Sequence, residues 1–193
     1  MNKKTNGPEL KFELDETEKS SLLKLARAAL EEHVQHGKTP DFKPQSPILE
    51  SKCGAFVTLH KGGDLRGCIG YIEAFKPLYQ TIIEMAQAAS TRDSRFDPVT
   101  PDELADIDIE LSVLSPLEKL EDFSKIVIGR HGLVIRQGFY SGLLLPQVAV
   151  EWNMDAVTFL EETCRKAGLP REAYKNGADV YYFSAQVFGE KNN

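Results

Sequence analysis

The chain has 193 residues, 41% of them hydrophobic and 27% charged, the proportions of a folded globular protein and too apolar for intrinsic disorder. At about 150 residues per domain, this length predicts one compact domain or two intimate lobes. A formal charge of -6, from 23 basic and 29 acidic residues, supplies no general positive field to hold nucleic-acid phosphates by counterion release.

Three cysteines without a CxxC pair (Cys53, Cys68 and Cys164) fit neither a disulfide framework nor a four-ligand zinc site, so reduced thiols and no metal are expected. No apolar run reaches the roughly 18 residues of a membrane span. The opening MNKKTNGPELKFELDE lacks the apolar stretch of a secretory signal, which makes the cytoplasm the expected location.

In chain order, residues 1–13 are expected to be flexible and 14–190 to form one domain of two lobes. Asp15 followed three residues later by Glu18 reads as a capping box. Leu22, Leu25, Ala26, Ala29, Leu30 and Val34 then recur at helical steps to about His36, and Gly37 is the stop. GKTPDFKPQSP reads as an extended connection. Gly54 to His60 and Leu65 to Ile72 are strand-like runs around KGGD, a hairpin signal.

A helix is predicted from Pro77 to about Ser90, followed by the loop TRDSRFDPV. Thr100, Pro101 and Glu103 begin a short capped helix, and Ile107 to Ser115 alternates as a half-buried strand should. Lys125 to Ile128 is a further expected strand, and Gly132 to Arg136 with Tyr140 to Leu145 a second hairpin. The last long helix, capped by Asp155 or Asn153, runs to Ala167 before Gly168 and Pro170, and Asp179 to Phe188 is the closing strand. Hairpins demand antiparallel pairing, so the fold class is α+β, an antiparallel sheet flanked by helices.

No dinucleotide, P-loop, zincin, nucleophile-elbow or EF-hand motif is present. What stands out is Leu65-Arg66-Gly67-Cys68-Ile69-Gly70, because glycines inside a strand mark close approach. A two-residue hairpin loop would set Val57 opposite Cys68 and mix Arg66 with aliphatics. A three-residue, bulged loop pairs Phe56 with Cys68 and Thr58 with Arg66, separating the faces, and binary patterning favours it. His60, Arg66 and Cys68 would then share a polar face, with Gly67 and Gly70 leaving room for a ligand.

Cys68 reads either as a nucleophile or metal ligand, its thiolate favoured beside Arg66 and deprotonated by His60 or His131, or as a small packed residue. The loop Arg92-Asp93-Ser94-Arg95-Phe96 reads either as anion capture by Arg95 or Arg92, with Asp93 orienting the other guanidinium, or as a structural turn anchored by Phe96. His131 is either a ligand contact or a turn residue. Cys164 is expected in the core and Cys53 at the surface or a sheet edge. Trp152 and Tyr181-Tyr182-Phe183 are expected to pack inside.

The segments FVTLHKGGDLRGCIG, RDSRFDPVTPDEL, IDIELSVLSP, GRHGLVI, LLLPQVAVEW and FLEETCRKAGL carry a resemblance over about Leu14 to Val187. The chain resembles the AmmeMemoRadiSam system protein A family, the domain named after the Alport syndrome, midface hypoplasia and elliptocytosis chromosomal region. That resemblance implies a mixed fold with a larger and a smaller lobe, a cleft near LRGCIG, and association with a Memo-like protein and a radical S-adenosylmethionine enzyme. It implies no settled reaction and no identified cofactor.

The expectation is therefore a catalytic or substrate-handling subunit that binds a small anionic ligand. Its catalytic candidates are Cys68, Asp93 and His131, and its ligand-binding candidates His60, Arg66, Gly67, Gly70 and Arg95. The alternative is a non-catalytic adaptor using the same surface, and nucleic-acid binding is weaker on charge grounds.

Overall fold

The first helix, α1 (Glu16–His36), starts and stops where local chemistry dictates in the computed structural model of the chain, which describes residues 12–191. The Asp15 carboxylate accepts from the Glu18 amide at 2.8 Å, Glu18 accepts from the Asp15 amide at 3.0 Å, and Gly37 ends the helix at φ 65°. Of the segment expected to be flexible, residues 1–11 lie outside the described residues, whereas Phe12 packs partly buried on the core; Leu14, first residue of the expected domain, is buried.

The chain divides into two units. The larger holds residues 12–116 and 186–191. It contains α1, a single turn α2 (Pro47–Glu50), β1 (Ala55–Lys61), β2 (Asp64–Tyr71), α3 (Leu78–Thr91), a 3₁₀ turn (Pro101–Asp106) and β3 (Ile107–Leu114). β1 lies between β2 and β3, antiparallel to both. Val57, Leu59, Ile109 and Leu111 are buried with Leu22, Leu30 and Ile82 of the helices in one apolar cluster.

The smaller unit, residues 117–185, contains β4 (Glu118–Lys119), a 3₁₀ turn (Phe123–Lys125), β5 (His131–Gln137), β6 (Tyr140–Leu144), α4 (Pro146–Glu151), α5 (Ala156–Lys166) and most of β7 (Asp179–Gly189). β5 is antiparallel to both β6 and β7. α5 buries Phe159, Leu160 and Cys164 in the same cluster as Leu133, Ile135 and Val180. The final residues of β7 belong to the larger unit, where the Glu190 amide donates to Ile109 of β3 at 3.0 Å. The class is α+β with antiparallel strands and flanking helices.

Several local expectations are corrected. Lys125 to Ile128 forms no strand; Asp122 accepts from the Ser124 amide at 3.0 Å and curls the chain into a 3₁₀ turn instead. Cys53 is fully buried rather than superficial. Trp152, expected inside, is 73% exposed, because α4 ends there and Asn153 turns the chain at φ 49°.

The hairpin register differs from both readings considered above. Gly62 and Gly63, at φ 63° and 93°, make a two-residue turn closed by Lys61 opposite Asp64. The bulge comes afterwards: His60 faces Leu65, but Leu59 faces Gly67, leaving Arg66 as the extra residue. Thr58 therefore lies opposite Cys68, and Val57 opposite Ile69. The separation of apolar and polar faces that patterning demanded is achieved by a bulge at Arg66 instead of a longer loop. Leu65, placed before the bulge, loses its expected seat on the apolar face and is 40% exposed.

Candidate functional site

β2 is an edge strand, so alternate backbone amides of LRGCIG point away from the sheet and need partners. At Cys68 the partner is Asp93, which follows the end of α3: its Oδ2 accepts from the Cys68 amide at 2.8 Å. The same oxygen accepts from Arg95 Nη2 at 2.7 Å, while Oδ1 accepts from Arg95 Nε at 2.9 Å and the Arg95 amide at 3.2 Å. Asp93 is 6% exposed, and burying its charge is tolerable because four donors surround it. The Arg95 bonds above all, with help from the Cys68 amide and against the effect of burial, hold its carboxyl well below the usual range.

Arg95 itself is half in water, its side chain 55% exposed and its guanidinium 5.5 Å from the centre of the Phe96 ring. Two of its three guanidinium nitrogens are engaged by Asp93, and its outward edge remains open to solvent. Cys68 is half-buried, and its thiol receives a hydrogen bond from Thr58 Oγ1 at 3.3 Å. One buried carboxylate thus fixes the backbone that carries a thiol and the fork of an adjacent cation.

The glycines of the motif are explained by the protein's own packing. A Cβ on Gly67 would sit 2.3 Å from the Ala89 carbonyl oxygen of α3, and one on Gly70 would sit 2.3 Å from the Phe56 ring. The room expected for a ligand is taken by a helix end and an aromatic ring.

Arg66 is engaged elsewhere. Its Nε and Nη2 bind the two oxygens of Glu103 at 3.0 and 2.9 Å, and its Nη1 donates to the Asp97 carbonyl at 2.9 Å. Glu103 also accepts from Lys61 at 2.9 Å and from the Thr100 amide at 3.0 Å. These partners, Arg66 first, draw its carboxyl well below the usual range. Sequence reading found Glu103 only as a helix cap; its larger part, receiving the bulged arginine, leaves no local signature.

His60 lies opposite Leu65 on one side and Asp108 on the other, beside a shallow cavity that Asp108 and Lys191 also line. His131 belongs to the smaller unit and is buried in the chain, 2% exposed. Its Nδ1 accepts from the Val127 amide at 3.3 Å and its ring lies 4.9 Å from that of Tyr182. Burial, aided by Arg130, lowers its pKa and favours the neutral ring. Cys68, Thr58, Asp93 and Arg95 are thus brought together; Arg66 joins Glu103, and His131 belongs to the smaller unit.

Residues 23–188 match the AMMECR1 family. A protein of Methanothermobacter thermautotrophicus is 48% identical over 187 residues, covering 92% of this chain and 96% of its own. One of Methanosarcina mazei is 44% identical, with 92% and 94% covered. The crystal structure of an uncharacterized protein from Pyrococcus horikoshii is similar with a TM-score of 0.77 at 42% identity, covering 89% of this chain and 90% of that one. With a match running from α1 to the end of β7, this chain belongs to the AMMECR1 family.

Proposed function

We propose that the chain is a substrate-handling subunit that receives a small anionic ligand at the edge of β2. Arg95 supplies the charge and Cys68 the reactive or contacting sulfur. The observation that supports this reading is the shared Asp93 oxygen, which holds the Cys68 amide and the Arg95 fork together and leaves the guanidinium half exposed. Asp93 is a positioning residue in this scheme. Both its oxygens are occupied and its proton affinity is low, which suits orientation and opposes general-base work near neutral pH. In the three-part setting implied by family resemblance, with a Memo-like protein and a radical S-adenosylmethionine enzyme, such a subunit presents its ligand to partners.

The test compares two alkylating reagents of similar size, anionic iodoacetate and neutral iodoacetamide. A guanidinium beside the thiol should make Cys68 prefer iodoacetate more strongly than a free thiol does, inorganic phosphate should protect it, and Arg95→Gln should abolish both effects. Equal preference in wild type and variant, with no protection by phosphate, would replace ligand handling by the adaptor reading, in which β2 and its loop are a docking surface.

A further inference from the structure

We infer a second ligand site on the smaller unit, a groove for a planar aromatic anion of nucleotide size at the exposed face of Trp152. The groove has a volume of about 600 Å³ and its apolar wall consists of Leu144, Val148 and Met154. Trp152 borders it with 73% of its surface exposed, an unusual placement for the largest apolar side chain. Arg165 and Lys166, from the last turn of α5, line the same groove.

Charge decides between occupants. Glu162 also lines the groove, but Arg165 at 2.9 Å and Arg171 at 3.3 Å neutralise it. Lys166 has no ion-pair partner among the described residues and is exposed. A chain of net charge -6 therefore carries an uncompensated cation beside an apolar wall and an indole. An aromatic ring stacked on Trp152 with its acidic group toward Lys166 and Arg165 satisfies both features, through stacking and a charge-assisted contact.

Size points the same way. The groove lies within the roughly 300–1,000 Å³ of small-molecule sites. Asn153, in the left-handed region, makes the turn between α4 and α5 that separates Trp152 from Met154.

Because Trp152 is the only tryptophan, intrinsic fluorescence excited at long wavelength reports on this groove alone. Titration with adenosine monophosphate should quench it saturably. Adenosine should quench with lower affinity, and ribose 5-phosphate, which carries the charge without the ring, should have no effect. Lys166→Ala, on the surface, should weaken the nucleotide about 2- to 5-fold, the span of an exposed ion pair, and leave adenosine unchanged.

The inference is overturned by the absence of saturable quenching with either ring-bearing probe at millimolar concentration. Quenching by ribose 5-phosphate equal to that by the nucleotide also overturns it, as does identical affinity in Lys166→Ala. Fluorescence that changes with protein concentration alone would give the groove to a second copy of the chain. The site rests on residues of the smaller unit only, so its failure leaves the reading of Cys68 and Arg95 untouched.

Discussion

Removing the Asp93 carboxylate should release two things at once, the edge of β2 and the orientation of Arg95. In Asp93→Ala the Cys68 amide loses a 2.8 Å bond to a charged acceptor, a kind of bond that contributes about 1.5–3 kcal/mol. The Arg95 fork is 55% exposed, so water replaces most of what it loses and the ion pair adds only about 0.2–1 kcal/mol. The expected cost is therefore about 2–4 kcal/mol, or about 4–15 °C in melting temperature for a chain of this length.

Asp93→Asn keeps the volume and one acceptor oxygen and should lose about half as much. Thermal melts at neutral pH measure the total, and amide hydrogen exchange locates it, with the Cys68 amide accelerating most. A melting temperature within a degree of wild type in Asp93→Ala, with exchange at Cys68 unchanged, would refute the idea that this carboxylate closes the sheet edge.

The remaining predictions concern packing, thiols and pH. Gly67→Ala should destabilise by about 1–3 kcal/mol through overpacking, because its Cβ would meet the Ala89 carbonyl at 2.3 Å; a neutral result in denaturant melts would mean that α3 can retreat. Gly62→Ala, at φ 63° with open space around it, should cost about 1–2 kcal/mol from backbone strain alone, so a larger loss would point to an unseen contact. A thiol reagent should label Cys68 alone in the native protein, since Cys53 and Cys164 are fully buried and burial pushes the Cys53 thiol up to about 12; rapid labelling of three thiols would contradict this packing. Asp93 and Glu103 have folded pKa values below their unfolded ones, so the unfolded chain takes up protons first on acidification. Their stabilisation should be whole above about pH 5 and drain away below about pH 4, and Asp93→Asn should show a shallower acid decline in melting temperature.

How much of this is legible in the sequence depends on how far apart the cooperating residues lie. The ends of α1 were readable because Asp15, Glu18 and Gly37 act on their own backbone within a turn. The separation of faces in the β1–β2 hairpin was readable for the same reason, since alternation is local. The device that achieves it was not: the bulge at Arg66 depends on Glu103, 37 residues away, receiving the displaced guanidinium.

The two glycines of LRGCIG signalled a close approach but could not name the visitor, which proves to be the Ala89 carbonyl and the Phe56 ring. That Asp93 orients a neighbouring guanidinium is legible in RDSR, but not that the arginine it holds is Arg95, the one offered as the anion's partner; the bond from Asp93 to Cys68 spans 25 residues. Trp152 misled because hydrophobicity alone places it inside, while the Asn153 turn that leaves it exposed follows one residue later.

What the edge of β2 can do follows from which of its polar groups are already committed. A clamp for a sheet edge needs one acceptor for one amide, and a neutral asparagine or a backbone carbonyl would provide it. Asp93 does more: it is ionised, almost buried, and turns the same oxygen toward both the Cys68 amide and a guanidinium that remains half exposed. Holding a surface arginine in one rotamer costs conformational entropy that an edge clamp would not require. A preorganised cation beside a half-buried cysteine is useful for meeting an anion, because the ordering cost is met before the ligand arrives. The same accounting separates Arg95 from Arg66. The Arg66 side chain is only 15% exposed and all three of its guanidinium nitrogens are bonded to Glu103 and Asp97, so it locks the bulge, while Arg95 keeps an edge toward solvent. On these grounds the anion-receiving charge belongs to Arg95: Arg66→Gln should lower stability with Cys68 reagent preference intact, and Arg95→Gln should abolish that preference.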